Sequence, residues 1–318
     1  LKNSDLPILL TNKQNGDLSL INEKAFFLNS DYSTEGVIAA QYIVKHLGLD
    51  SIAIIAPAYK NIEIQIDAFT KEVDRLGGKI VATEWYSGEP KNLKRQFSFL
   101  RQVGFRLREK EKEYDEALGM EIDSLDALFD VSVDDFFDLP EPKIKKMSTS
   151  DSSKVILKTI QAIYLPINSS DLEYIGPQIP MYNFDAKIVG NSSWKQLEIL
   201  TKENIGPHLK GMSIISSMFT PKSDSIITNP KFLDDYQSGY YTSKLLTNVN
   251  LTEISRSALG ESLGRVSFFN DTGYNFIPSK INKNINSAFQ LIGFNGRGFV
   301  REGVISIDSL SIVNLQNP

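Results

Sequence analysis

One stretch, residues 32–86, limits the fold more than any other because it reads as helix, strand, helix and strand in order. Its first helix is predicted to begin after Ser33, a residue able to cap free backbone amides, and to stop at Gly48. The β-branched run Ser51–Pro57 has no polar face, which is typical of a strand covered on both sides. The stretch therefore begins like a layered α/β protein.

A second helix and strand complete the unit. Apolar residues spaced by three and four predict a helix from Ile62 to Leu76, ended by two glycines. The alternating segment Lys79–Tyr86 predicts the next strand. Since a strand, crossover helix and strand of this length form a right-handed parallel unit, we expect an α/β fold with doubly wound, mostly parallel sheets.

The same alternation continues along the chain. Further strands are predicted at 7–10, 160–166, 187–190, 212–216, 265–268, 288–292 and 304–307. Further helices are predicted at 93–112, 168–176, 194–200, 229–248 and 255–263. Because the first strand lies so close to residue 1 with no helix before it, we expect that a larger precursor contributes earlier β-α units or that these units were trimmed.

An acidic segment interrupts this order. Residues 113–141 contain eleven Asp and Glu residues and no Lys or Arg, within a predicted insertion spanning 104–155. The segment is interpreted as a solvated excursion or as a docking surface for a basic partner. A calcium loop starting at Asp130 fits poorly, because Asp135 stands where such a loop needs glycine.

Composition excludes several function classes. The formal net charge of −5 leaves no basic surplus for general binding to nucleic acid. The absence of cysteine excludes disulfides, thiolate nucleophiles and cysteine zinc sites. The sequence contains no run of about eighteen apolar residues, so no membrane-spanning helix is predicted from it.

Signals for enzyme chemistry are weak. The two histidines, His46 and His208, lie in different elements, so neither a two-histidine metal site nor a catalytic triad is expected. The glycine-rich turn Gly293–Gly298 lacks the strand, loop and helix of a dinucleotide site, and no phosphate-binding P-loop occurs. We expect no enzymatic activity, no cofactor and no metal.

Four passages, in this order, resemble one known family. They are Phe27–Gly36 with the helix that follows, Leu47–Ile55 with Ala68–Gly78, Pro177–Tyr182 with Val189–Trp194, and Leu263–Phe268 with Asn270–Gly273. The family is that of the type I periplasmic solute-binding proteins, the branched-chain amino-acid-binding and extracellular ligand-binding receptors. The resemblance covers almost the whole chain apart from residues 104–155.

The resemblance implies two α/β lobes joined by three crossings, with a ligand held between them. The crossings are expected near 28–33, 216–221 and 265–268. The first lobe would then comprise 1–29 and 217–264, with its beginning missing. The second lobe would comprise 30–216 and 265–318, including the acidic insertion.

Candidate ligand contacts follow from the rule that open α/β sheets bind at the carboxyl ends of their strands. The residues so predicted are Lys13, Gln14, Asn15, Tyr59, Asn61, Asn168, Ser192 and Trp194. Lys13 favours an anionic ligand or an ion pair across an empty cleft, although a plain solvated lysine explains it equally well. Trp194 is a candidate for stacking on a ligand, whereas Trp85 is expected to pack within its lobe.

The family implies an extracytoplasmic protein that captures a small polar solute for an ABC-type importer, with a membrane permease as partner. Its location would be periplasmic or extracellular, and lipid anchoring of the precursor is compatible with this. In the family, one cleft loop usually supplies an acid for the ligand's ammonium, and here that loop reads Asn191–Ser193. The alternative is a regulatory module that binds a protein partner through its insertion, resembling the lipoprotein activators of cell-wall synthases.

Overall fold

A computed structural model describes most of the expected second lobe and a few segments of the first. The described residues are 6–10, 24–27, 30–108, 154–217, 239, 242–243, 246–247, 256–263, 277, 284–306 and 309–313. Several predictions lie outside these ranges, namely the acidic segment 113–141, the strand and crossing at 265–268, the turn at 270–273 and most of the helix at 229–248.

The described strands and helices follow the α/β order expected from the sequence. The strands are β1 Ile8–Leu10, β2 Ala25–Phe27, β3 Ser51–Pro57, β4 Lys79–Tyr86, β5 Ala162–Leu165, β6 Lys187–Gly190, β7 Ser213–Ser216, β8 Ala288–Phe294, β9 Phe299–Ser306 and β10 Ser309–Val313. The helices are α1 Tyr32–Gln41, α2 Lys60–Arg75, α3 over 94–108, α4 Leu172–Ile175, α5 Leu197–Leu200, α6 Gly206–Leu209 and α7 Arg256–Leu263. Single 3₁₀ turns occupy Ser169–Asp171, Ile179–Tyr182 and Ser192–Trp194.

Eight strands form one sheet in the order β10-β9-β8-β7-β6-β5-β3-β4. The five strands from β7 to β4 are parallel to one another, while β8, β9 and β10 are antiparallel additions at one side. The expected mostly parallel α/β sheet is therefore confirmed. A second sheet consists of β1 and β2, which pair in parallel.

The stretch 32–86 forms the predicted order of helix, strand, helix and strand, with two corrections in its first helix. Asp31, not Ser33, caps α1, since its carboxylate accepts a hydrogen bond from the Thr34 amide at 2.6 Å. A cap must have extended backbone, and Asp31 does (ψ 172°), whereas Ser33 already lies inside the helix. The predicted stop at Gly48 is confirmed, because that residue adopts the left-handed backbone (φ 67°) that favours glycine.

Beyond Gln41 the helix continues as a π-helical turn, Tyr42–His46, rather than as the single α-helix that was predicted. The Tyr42 hydroxyl lies 2.8 Å from Ser213 Oγ and donates to the Glu302 carboxylate at 3.3 Å. Burial raises the pKa of Tyr42 and the Glu302 charge adds to this, while the Ser213 hydrogen bond offsets a part. The uncharged Tyr42 hydroxyl thus links this turn to Ser213 of β7 and Glu302 of β9.

The large sheet is covered on both faces, as the apolar residues 52–57 of β3 require. Ala53 and Ile55 face a cluster that includes Phe97 of α3, whereas Ile52 and Ile54 face α1 and α2 on the other side. Side chains of successive strand residues point to opposite faces, so a strand buried on both sides has no polar positions.

Helices α1 and α2 approach closely at Gly36. A Cβ added to Gly36 would lie 2.2 Å from the Gln65 carbonyl oxygen. Farther along, the side-chain amide of Gln41 donates to Glu72 at 2.8 Å. Arg75 donates twice to the same carboxylate, at 2.6 Å for each bond.

This arrangement predicts an acid-sensitive contact between the two helices. Burial by itself would raise the pKa of Glu72, but the hydrogen bonds from Arg75 and Gln41 and the Arg75 charge outweigh it and lower the pKa below 4.5. A carboxyl whose pKa is lower in the folded state stabilises the protein above its unfolded pKa, and this stabilisation is lost as pH falls through the folded pKa. We expect Glu72→Gln to be destabilising near neutral pH and the difference from wild type to shrink below about pH 4.

Urea unfolding measured across this pH range tests the prediction. Asp67→Asn is the matched control on the same helix. Both side chains of the Asp67–Lys71 ion pair are exposed, so the pair contributes little to the free energy of unfolding. A difference between wild type and Glu72→Gln that stays constant with pH would contradict the assignment.

The smaller sheet connects to the larger one beside β2. The Phe27 amide donates to the Asn284 carbonyl at 2.6 Å, and the Asn286 amide donates to the Phe27 carbonyl at 3.1 Å. From there the chain enters β8 at Ala288. A crossing between the sheets therefore lies at 284–288, while 265–268, where one was predicted, is outside the described ranges.

Candidate functional site

The candidate site lies at the carboxyl edge of the large sheet. The strands β4, β3, β5, β6 and β7 are parallel, so the loops that follow them share one edge. The described crossing to the smaller sheet, at 284–288, lies at the same edge, because it leads into β8, whose Gln290 pairs with Ser216. Ser30, just before α1, and Ser217, just after β7, lie at this edge too. Loops and the described crossing therefore meet on one side of the sheet.

Two neighbouring loops at this edge are joined by side-chain hydrogen bonds. From the loop after β6, Asn191 Nδ2 donates to the Ile167 carbonyl at 3.0 Å and Trp194 Nε1 donates to the Leu165 carbonyl at 2.9 Å. Gln196 Nε2 donates to the Ser169 carbonyl at 2.6 Å. We call residues 165–169 together with 191–196 the joined loops, because these three bonds hold both segments in one arrangement.

Asn168 and Ser192, two of the predicted ligand contacts, both belong to the joined loops. Each is half-buried, and each lies at the start of a 3₁₀ turn, with Asn168 just before Ser169–Asp171 and Ser192 opening Ser192–Trp194. The structure thus places these two polar residues in adjacent loops at the carboxyl edge.

The prediction that Trp194 stacks on a ligand is wrong. Its side chain is fully buried (0% exposed) in the core beneath the loops, and its indole N–H is used by the Leu165 carbonyl. The indole also lies against Gly190, where an added Cβ would be 2.3 Å from Trp194 Cδ1. Trp194 is therefore a core residue that supports the joined loops from below.

Tyr59 lies in the next loop, after β3, and Asn61 lies in the helix that follows it. Strand β3 neighbours β5 in the sheet. Tyr59 is the residue before α2 and is 47% exposed, so its ring is available at this edge. Asn61 is half-buried in the first turn of α2. The remaining predicted contacts, Lys13, Gln14 and Asn15, lie outside the described residues.

A buried pair at the same edge was missed by the sequence reasoning. The Tyr86 hydroxyl donates to the Asp171 carboxylate at 2.7 Å, and Ser170 Oγ donates to its other oxygen at 3.2 Å. Burial raises the pKa of Tyr86 well above the ordinary tyrosine range, and the Asp171 charge raises it further. Both residues stood at predicted element boundaries, but their pairing across the end of β3 has no local sequence signal.

The crossing at 284–288 and the chain segments beside it at the same edge carry buried polar side chains. Those described are Ser30, Ser216, Ser217, Asn286, Ser287 and Gln290. Asn286 Oδ1 accepts from the amides of Ile277 and Ala288, at 3.2 and 3.1 Å, and Ser287 Oγ lies 2.7 Å from Ser306 Oγ. The bonds to Asn286 satisfy backbone amides where regular sheet pairing ends, and the serine pair satisfies two buried hydroxyls.

Two observations bear on chemistry at this edge. Within the described ranges, no three His, Asp or Glu side chains are grouped in a way that could hold a metal ion. No described helix has both the length and the apolar character that a bilayer crossing requires.

Comparison with known proteins finds similarity at the level of structure. No family model and no curated protein matches the sequence. A branched-chain amino acid ABC transporter protein of Rhodospirillum rubrum matches with TM-score 0.63 and 15% identity, over 93% of this chain and 73% of that one. A leucine-binding protein of Thermotoga maritima matches with TM-score 0.56 and 13% identity, over 96% and 74% of the two chains.

A solute-binding protein of an R. palustris ABC transporter, solved in complex with benzoate, matches with TM-score 0.56 and 11% identity. That match covers 96% of this chain and 72% of the other. At such low identities the likeness establishes the fold and nothing finer. Together with the parallel sheet and the crossings at its carboxyl edge, it shows that the chain has the two-lobed type I periplasmic-binding-protein fold.

Proposed function

We propose that the protein is an extracytoplasmic ligand-binding protein that captures a small polar solute between its two lobes. The observation that carries this proposal is the pair of joined loops, which present half-buried polar residues at the edge where the crossings run. Fixing the loops in advance reduces the ordering cost of binding. A small solute gains most from such preorganised polar groups when a second surface can close over it.

The contacts we propose from the second lobe are Tyr59, Asn61, Asn168 and Ser192. From the facing lobe we propose Lys13, Gln14 and Asn15, in keeping with the sequence prediction. Delivery to an ABC-type importer, and a periplasmic or extracellular location, are proposed because the proteins that share the fold are described as parts of ABC transporters.

A thermal-shift screen of the complete protein tests the proposal. We expect at least one compound among amino acids, peptides and organic anions to raise the melting temperature in a saturable way, since a ligand at one hundred times its Kd stabilises by about 2.7 kcal/mol. Ser192→Ala should weaken the shift. Ser51→Ala is the control and should not weaken it, because Ser51 begins β3 and therefore lies at the amino edge of the sheet, away from the candidate site. A broad screen without any shift would count against solute capture.

A regulatory module that binds a protein partner remains the second candidate. It is favoured by the segment 113–141, whose eleven acidic residues and absence of Lys and Arg suit a basic surface. A pull-down with and without these residues separates the two candidates, because solute capture does not require the segment. Unchanged recovery of a partner after the deletion would remove its docking role.

A further inference from the structure

The joined loops contain one hydrogen-bond acceptor that their own contacts leave unused. Asn191 is 7% exposed, and its Nδ2 donates to the Ile167 carbonyl. Its Oδ1 is enclosed and has no hydrogen-bond partner among the described residues. A buried amide oxygen in this condition is unfavourable, so a group that donates to it stabilises the protein.

The Asn191 side chain is held in place, which makes this acceptor a defined feature. The bond from Nδ2 fixes the orientation of the amide, and the neighbouring Trp194 and Gln196 bonds fix the loop that carries it. A rigid acceptor distinguishes donors by chemistry more sharply than a mobile one, because it cannot turn away from a poor match.

The joined loops carry no carboxylate that could meet an ammonium group. The one charged residue in their sequence, Lys195, is itself a cation. The carboxylate that follows the first loop, Asp171, already accepts hydrogen bonds from Tyr86 and Ser170. An ammonium group placed here would lose its hydration and gain a hydrogen bond to one neutral oxygen, which does not offset its desolvation free energy. A neutral O–H or N–H group has a far smaller desolvation free energy.

From these observations we infer that Asn191 Oδ1 accepts a hydrogen bond from an uncharged O–H or N–H group of the solute. The solute class is therefore one whose donor at this position is a hydroxyl or an amide, not an ammonium. This inference rests on the proposed function, since it assigns the chemistry of the same edge of the sheet.

Matched compounds test the donor directly. We suggest thermal-shift and calorimetric measurements with pairs that differ at one group: lactate and alanine, 2-hydroxyisocaproate and leucine, phenyllactate and phenylalanine, acetamide and ethylammonium. We expect the member that carries the hydroxyl or the amide to bind at least about tenfold more tightly than the member that carries the ammonium, a difference near 1.4 kcal/mol. Tighter binding of the ammonium member overturns the inference but leaves solute capture intact, whereas no binding in this or the broad screen contradicts both.

Two variants separate recognition from structural support. Asn191→Ala removes one bond between the loops and the free acceptor, while Gln196→Ala removes a bond between the loops and a longer bond to the Ser193 carbonyl but leaves the free acceptor in place. For the tightest hydroxy acid or amide of the panel, we expect affinity to fall about tenfold in Asn191→Ala and to stay within about twofold in Gln196→Ala. Equal losses in the two variants, or an unchanged affinity in Asn191→Ala, would show that Asn191 only supports the loop.

Discussion

Gly36→Ala is expected to destabilise the protein by about 1–3 kcal/mol, although alanine is the better helix former. The added Cβ would lie 2.2 Å from the Gln65 carbonyl oxygen and 3.0 Å from the Phe69 amide nitrogen, both backbone atoms of α2. Backbone atoms within a helix cannot rotate aside, so α1 and α2 must separate. Separation would loosen the packing of Ile38 and Phe69, which are both fully buried between the helices and the sheet.

Chemical denaturation of the variant measures this effect. Gly298→Ala is the matched control, because its added Cβ would meet no atom within 4 Å and its backbone is not left-handed. We expect the control to change the free energy of unfolding by less than about 0.5 kcal/mol. A loss below about 1 kcal/mol in Gly36→Ala would mean that the helices adjust more easily than the close approach implies.

Trp194→Ala is expected to destabilise by about 3–5 kcal/mol, the range for removing a large buried aromatic side chain. The variant empties a fully buried site and leaves the Leu165 carbonyl without its indole donor. Because the indole supports the joined loops, we also expect the variant to lose solute binding. Trp194→Phe should retain part of the packing but not the hydrogen bond, so its loss should be smaller.

A double-mutant cycle with Gly190 tests the contact itself. Gly190→Ala places a Cβ 2.3 Å from Trp194 Cδ1, so it should be strongly destabilising on its own. In a Trp194→Ala background the obstruction is gone, and the same change should be nearly neutral. Additive effects of the two substitutions would contradict direct packing of the indole on Gly190, since residues in contact couple by about 0.5–3 kcal/mol.

Local patterns predicted most of the fold. Apolar spacing located β3, α2 and β4 to within two residues, and the two-sided burial of β3 followed from its lack of polar positions. Glycine marked the stops at Gly48 and Gly77, which both adopt left-handed backbone. These signals are readable because helix period, strand alternation and turn preference depend on residues a few positions apart.

The site was only partly predictable. Strand ends indicated which loops share an edge, and this placed Asn168 and Ser192 together in the joined loops. The same reasoning could not decide where an aromatic side chain points. Trp194 follows a strand end, as a stacking residue would, but the space beside Gly190 admits its indole into the core.

By itself, the sequence determined an α/β chain with a mostly parallel sheet, and it identified the edge of that sheet where polar loops gather. Only the tertiary structure decided that Trp194 is structural, that Tyr86 and Asp171 form a pair, and that Asn191 holds an unused acceptor. The physical reason is distance along the chain. The bonds from Asn191 to Ile167, from Trp194 to Leu165 and from Tyr86 to Asp171 join residues 24, 29 and 85 positions apart. Such bonds exist only once the parallel strands bring their carboxyl ends together at one edge of the sheet.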